Sequence, residues 1–385
     1  MKVLISSMAA MAETGGPSKR ARLLAEGLRN ADIEIATCIA EDVNYKPMAG
    51  IKNYYLEVPM PLGLPKSIAS HTFPIAQKLG ITERKTVNSF EDVLHFTGNN
   101  DYQYLVKSVR NVQDAIKDFN PDIVYSEFNI SAIIAAKLEN KRLFTTISYP
   151  TQAEYASTAK YAKGLKRFLK ENNLPDVNST LDLFNWAAKT FVPSIRELEP
   201  INKDTIFCGS WEKNGGKSKY DNVILVYMGN GTISPNKMLK EIKDAFIDSE
   251  YEVYIASKGL KKEDFNNIHV DKSWDFSKLL NDAVLFINHG GQNSIIDGLS
   301  YGVPQLICPG KVFERIYNAK SVKNVNSGKM LSADEFKSER IRQESEKLIN
   351  DTSFRESSRS IGDKLKSKKG INCIIDSIME EGKNV

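Results

Sequence analysis

Residues 283–319 read AVLFINHGGQNSIIDGLSYGVPQLICPGKVFERIYNA. The unbroken apolar run at 283–287 suits a strand covered on both faces, as in a parallel sheet. His289-Gly290-Gly291 ends it, and Ile295, Ile296 and Leu299 then share one side of a helix that Gly302 would stop. Residues 303–308 give a second short strand, and a second helix starts at Phe313. Strand, glycine turn, helix, strand is a unit that aims helix N–H groups and a partial positive charge at an anion. Asn293 and Ser294 add side-chain donors in the first helical turn, and Asp297, a turn on, can accept from a pair of sugar hydroxyls.

Around that unit the chain alternates strands and helices. At 385 residues it exceeds the size at which one core usually stops growing, so two domains are expected. The composition, 41% hydrophobic and 26% charged, is that of a globular protein, and a net charge of +4 makes no case for nucleic acid. The four cysteines lack metal spacing and read as reduced thiols. The start, MKVLISSMAAMAETGG, has no apolar block of signal-peptide length, and no run is long enough for a membrane span, so a cytoplasmic protein is expected.

Strands are predicted at 2–7, 33–39, 121–125, 142–148 and 190–194, with helices from Ser18, at 101–119 and at 130–138. Repeated prolines between 40 and 100 predict long loops. Lys160, Lys163, Lys166, Arg167 and Lys170, interleaved with Leu165, Phe168 and Leu169, allow contact with an anionic membrane, but a solvated helix with a buried apolar stripe is favoured. A second domain begins with a strand at 222–228, closed by Gly229-Asn230-Gly231-Thr232, and a helix from about Pro235. Helices at 333–350, 353–366 and 370–381 complete the chain.

The 283–319 stretch resembles the donor-binding signature of the family 1 glycosyltransferases of GT-B fold, the group of plant, macrolide and glucuronosyl transferases. That signature runs His-x-Gly-x-Asn-Ser-x-x-Glu, then Gly-Val-Pro, a proline, and Asp/Glu-Gln before Asn-Ala. Here it is carried by His289, Gly291, Asn293, Ser294, Asp297, Gly302-Val303-Pro304, Pro309, Glu314-Arg315 and Asn318-Ala319.

The resemblance implies an α/β protein of two Rossmann-like domains facing a central cleft. The N-terminal, acceptor-binding domain would span 1–198, the linker 199–216, the nucleotide-sugar domain 217–369, and a returning helix 370–385. His289, Gly290, Gly291, Asn293 and Ser294 would hold the diphosphate together with Gly231 and Thr232. Asp297 would hold the ribose, Glu314 the sugar hydroxyls, and Trp274 the base, unless Trp274 is a half-buried core residue. Arg315 stands where the pattern has glutamine, which bears on the choice of sugar.

The implied activity is inverting transfer from a UDP- or dTDP-activated sugar to a small hydrophobic or aromatic acceptor, as in natural-product glycosylation. It would need no metal and no cofactor beyond the donor. Counting back from Leu24-Ala25, Pro17 occupies the place of the family's proton-accepting histidine, and Arg20 matches an arginine of some branches. A different base is one reading, with His95 first and Glu13 the nearest acid. An acceptor acidic enough to need no base, and a homologue that binds nucleotide sugar without catalysis or activates a partner, are the others. A nucleotide-sugar epimerase is a further alternative.

Overall fold

A computed structural model describes the chain except residues 12–14, 42–44, 65–85, 153, 156–160, 212–217, 230–232 and 384–385. Seven parallel strands form the first sheet: β1 (Lys2–Ser7), β2 (Glu34–Cys38), β3 (Lys52–Tyr54), β4 (Ile123–Glu127), β5 (Arg142–Thr146), β6 (Lys189–Val192) and β7 (Ile206–Phe207), in the order β3-β2-β1-β4-β5-β6-β7. The second sheet holds β8 (Val223–Tyr227), β9 (Glu252–Ala256), β10 (Glu263–Phe265), β11 (Ile268–Asp271), β12 (Ala283–Asn288), β13 (Gln305–Ile307) and β14 (Gly328–Met330). Its order is β10-β11-β9-β8-β12-β13-β14, and only the β10–β11 pair is antiparallel.

Alternation along the central strands sends side chains into a core on each face of each sheet. Leu4 and Val124 join one cluster of the first sheet, while Val3, Ile5, Ile123 and Tyr125 join the other. In the second sheet Ile224, Val226, Leu285 and Ile287 lie on one side, and Val223, Leu225 and Phe286 on the other. Such two-sided burial explains why β12 reads as continuous apolar sequence.

Both sheets reverse strand order beside their first strand, at β1/β4 and at β8/β12. In open α/β sheets the crevice at the carboxyl ends of such strands is where ligands bind. Glu127 ends β4, and Asn288 ends β12, directly before the glycine turn.

Three expectations change. The first helix begins at Gly15, not beyond Ser18, so Pro17 lies within its first turn; a first-turn N–H has no intrahelical partner, so proline forfeits no bond there. Residues 199–216 are not simply a linker, because β7 pairs with β6 and Cys208 and Trp211 enter the first domain's core. A strand of two residues leaves no periodicity to read. Between 40 and 100, β3 and the helix Phe90–Thr97 are regular, the latter capped by Ser89, whose hydroxyl accepts from the Asp92 N–H at 3.0 Å.

The last helix, Asn372–Lys383, returns to the first domain. Ile371, Ile374, Ile375 and Ile378 pack with Val3, Leu24 and Leu28. The basic helix Lys163–Glu171 turns Leu165, Phe168 and Leu169 into the core, and Arg167 pairs with Glu171 at 2.9 Å, so its apolar stripe is covered. Among the described residues no helix is long and apolar enough to cross a membrane.

Candidate functional site

The glycine turn is locked from below. Asn288 donates from Nδ2 to Gln305 Oε1 at 2.8 Å and accepts on Oδ1 from the Gly290 N–H at 2.8 Å. Asn318 Nδ2 donates to the Gly290 carbonyl at 2.8 Å. Gly290 has φ +84°, and a Cβ there would come within 2.9 Å of the Arg315 carbonyl oxygen. Only glycine fits both demands.

The His289 ring fills the space between two glycines. A Cβ on Gly291 would sit 2.6 Å from its Nε2, and one on Gly229 3.0 Å away. His289 Nδ1 lies 3.4 Å from the Tyr227 carbonyl. A carbonyl only accepts, so Nδ1 carries the proton and Nε2 the lone pair. Burial, and next the nearby Arg315 charge, push the imidazole down to about 3. The ring is therefore neutral near pH 7, and it can grip a phosphate oxygen through Nε2 only by gaining a proton.

The helix Gln292–Ser300 follows at once, with Gly291 at its N-cap. Its start projects Asn293, Ser294 and Asp297 into a cavity of about 650 Å³ between the domains. The same cavity is lined by His289, Gly291, Glu314, Arg315 and Trp274. Trp274 is pinned, Nε1 donating to the Ile255 carbonyl at 3.0 Å and its ring edge-on to Tyr254 at 5.1 Å. Half-buried with Ser257, Lys258, Lys272 and Phe276 around the same space, it offers a platform for a base. Glu314 is half-buried, and burial raises its carboxyl above the usual range against the pull of Arg315 and Arg20.

The opposite wall comes from the first domain: Met8, Gly16, Pro17, Lys19, Arg20, Phe90, Phe128, Ser148 and Thr151. Arg20 is its organising group. Nε donates to Glu127 Oε1 at 2.6 Å, Nη1 reaches across the cleft to Asn293 Oδ1 at 3.2 Å, and the guanidinium lies over the Phe128 ring at 5.5 Å. Thr146 donates its hydroxyl to the other Glu127 oxygen. Burial pushes the Glu127 carboxyl up, with Arg20 pulling it down. Because Arg20 only donates, Asn293 must turn Oδ1 to it, which leaves Nδ2 for an anion at the helix start.

A second bond across the domains joins Gln292 Nε2 to Glu199 Oε1 at 2.9 Å. Glu199 also accepts from the Tyr149 N–H, and burial raises its carboxyl to about 7.

The structure thus gathers His289, Gly291, Asn293, Ser294, Asp297, Glu314, Arg315 and Trp274 around one cavity, with Gly290 shaping the turn beneath. Glu13, Gly231 and Thr232 lie outside the described residues. His95 does not reach the cavity: it stacks on Tyr161 at 4.1 Å, and its helix presents Phe90 to the cleft instead. Glu127 and Glu199 are the polar groups that sequence reasoning missed. For Glu127 the signal was an acid at the carboxyl end of an apolar strand; nothing in the sequence pairs it with Arg20. Among the described residues no group of three or more His, Cys, Asp and Glu side chains is placed to hold a metal ion.

Two facing Rossmann-like domains, with a helix N-terminus and a locked glycine turn at the cleft, define the GT-B class. Residues 246–380 match the family described as "Erythromycin biosynthesis protein CIII-like, C-terminal domain". Over 165 residues the chain is 26% identical to the "Uncharacterized UDP-glucosyltransferase YojK" of Bacillus subtilis (strain 168), covering 42% of this chain and 40% of that protein. It is 22% identical over 253 residues to the "NDP-glycosyltransferase YjiC" of the same organism, covering 58% of this chain and 63% of that one. The chain therefore matches less than two thirds of the length of either relative. In fold it is similar to the glycosyltransferase VinC, solved in complex with dTDP, with a TM-score of 0.71, 13% identity and 100% of both chains covered. The family match thus rests on the second domain, and the fold of the whole chain is GT-B.

Proposed function

We propose that the chain transfers a sugar, with inversion, from a UDP- or dTDP-activated donor to a small hydrophobic or aromatic acceptor. The observation that carries this reading is the interdomain cavity, where the start of the helix Gln292–Ser300 meets an apolar wall of the other domain. Nucleotide diphosphate would lie on the helix N–H groups, Asn293 Nδ2 and Ser294, with Asp297 on the ribose and Trp274 beside the base. As the bond from sugar C1 to the diphosphate breaks, those preorganised donors stabilise the charge that develops on the leaving group. Glu314 would accept from sugar hydroxyls, and Arg315 would sit close to that sugar. VinC was solved with dTDP and the family relatives are named for UDP- and NDP-sugars, which supports the donor class.

The experiment is a mass-shift screen of UDP- and dTDP-sugars against a panel of phenols, alcohols and carboxylic acids. Glycosylated acceptor with stoichiometric release of nucleotide diphosphate supports transfer. Donor that binds but is never consumed supports a non-catalytic homologue, and an isomerised donor sugar supports an epimerase. In an active preparation Glu314→Ala should abolish most transfer while leaving UDP or dTDP bound as tightly as before. A uronic-acid donor that outperforms its neutral parent, and loses that lead in Arg315→Gln, would assign Arg315 to a sugar carboxylate.

A further inference from the structure

On the first domain's side of the cavity, the described lining residues offer two titratable groups, Lys19 and Arg20, and both are cations. Pro17, at the place of the family's proton acceptor, has no group to receive a proton. The carboxylate that Arg20 pairs with behind this wall, Glu127, is fully buried and has both oxygens engaged, by Arg20 and by Thr146. Among the described residues of this wall, an alcohol would find no group to take its proton.

What the wall does offer is a fixed cation beside apolar surface. Arg20 is 7% exposed, held at Nε by Glu127 and at Nη1 by Asn293. Its Nη2 has no hydrogen-bond partner among the described residues, and the side chain lines the cavity. Met8, Phe90 and Phe128 stand around it, with Phe90 and Phe128 edge to face at 5.8 Å. A planar guanidinium with donors to spare, set in an apolar recess, matches an amphipathic anion: an aromatic body ending in a carboxylate or a phenolate.

We propose that the acceptor of this chain attacks as an anion, its charged oxygen received by Arg20 against the wall of Met8, Phe90 and Phe128. The proposal rests on the transfer reading above. The chemistry balances without a base. The acceptor oxygen brings its lone pair and no proton to sugar C1, the C1–O bond to the diphosphate breaks, and nucleoside diphosphate leaves with that electron pair. The products are a sugar ester or an aryl glycoside and a diphosphate one charge more negative than in the donor. Arg20 holds the nucleophile and takes no proton. Its contact to Asn293 sets that nucleophile beside the residues assigned to the leaving group.

The test is a calorimetric titration of the full-length chain with benzoate and with benzamide, which share a shape and differ in charge. Benzoate should bind at least about tenfold more tightly, a difference of the size one charge-assisted hydrogen bond gives. Arg20→Ala should erase that preference and Arg20→Lys should restore part of it. Because Arg20→Ala strands a buried carboxylate, Arg20→Gln with Glu127→Gln is the companion variant, keeping the volume and removing both charges; it too should bind the two probes alike. Equal affinity in the wild type, or a benzoate preference that survives the double substitution, overturns the proposal. The readout is binding, so a chain that prefers benzoate through Arg20 yet consumes no UDP- or dTDP-sugar upholds this inference while refuting transfer.

Discussion

In the C-terminal half of the cleft, the hydrogen bonds that lock the glycine turn join residues 2, 17 and 28 positions apart. In the N-terminal half, Arg20 and Glu127 are 107 positions apart, and Arg20 and Asn293 are 273 apart. The first half is a local structure that a short segment builds by itself. In the second, the Arg20–Glu127 pair needs the first domain folded, and the Arg20–Asn293 bond needs both domains in place. On the function proposed above, the contrast is a division of labour: a locally built site for the donor, and an acceptor wall set by residues distant in sequence.

Breaking each half should therefore give different signatures, and the buried pair should give the largest. Arg20→Ala leaves Glu127 buried without its cation and should cost about 3–5 kcal/mol, read by chemical denaturation. Replacing both, as Arg20→Met with Glu127→Leu, should cost much less, because no charge is left stranded. A loss below about 1 kcal/mol in the single variant would show that the pair does not hold this half together.

In the local half, Gly290→Ala forces an alanine to φ +84° and drives its Cβ toward the Arg315 carbonyl. The expected cost is about 1–3 kcal/mol with weakened nucleotide binding. Unchanged affinity in a folded variant would mean that the turn is not shaped for the diphosphate.

The bond between the halves has its own pH signature. The Glu199 carboxyl sits at about 7 in the fold, against an ordinary value of 4.5. Its folded value is raised, so its contribution to stability is fully present below about 4.5 and is lost as pH rises through 7. Thermal unfolding between pH 4.5 and 7.5 should show that decline, and Glu199→Gln should flatten it by about 1–2 kcal/mol. An identical slope in the variant would place the titration elsewhere.

A second pH signature concerns His289. Its neutral ring needs a proton to bond a phosphate oxygen, so nucleotide binding should take up a proton. Affinity for UDP or dTDP should then fall as pH rises from 6 to 8, by no more than about tenfold per unit, and His289→Ala should be flat. Heats of binding that do not vary with buffer ionisation would exclude the uptake.

The same contrast explains what could be read from the sequence. Continuous apolar runs such as β12 and a glycine turn before a periodic helix survive in one dimension, so the fold and the residues from His289 to Arg315 were legible. Arg20 was visible as a position but not as a partner, because no local pattern links it to Glu127. His95 looked attractive beside aromatic residues and a glycine loop, yet the phase of the helix Phe90–Thr97 carries it to Tyr161. The β7 strand was hidden by its length, two residues held by pairing with β6.

The division of labour is tested most directly by titrating UDP and dTDP into the wild type, His289→Ala and Arg20→Gln with Glu127→Gln under one set of conditions. With the donor on the C-terminal half, His289→Ala should weaken nucleotide binding by about tenfold or more, the loss of roughly one charge-assisted contact. The double variant of the acceptor wall should stay within about threefold of the wild type, since the amide introduced at position 20 keeps an N–H for Asn293 Oδ1. Nucleotide binding that collapses in the double variant and persists in His289→Ala would contradict it.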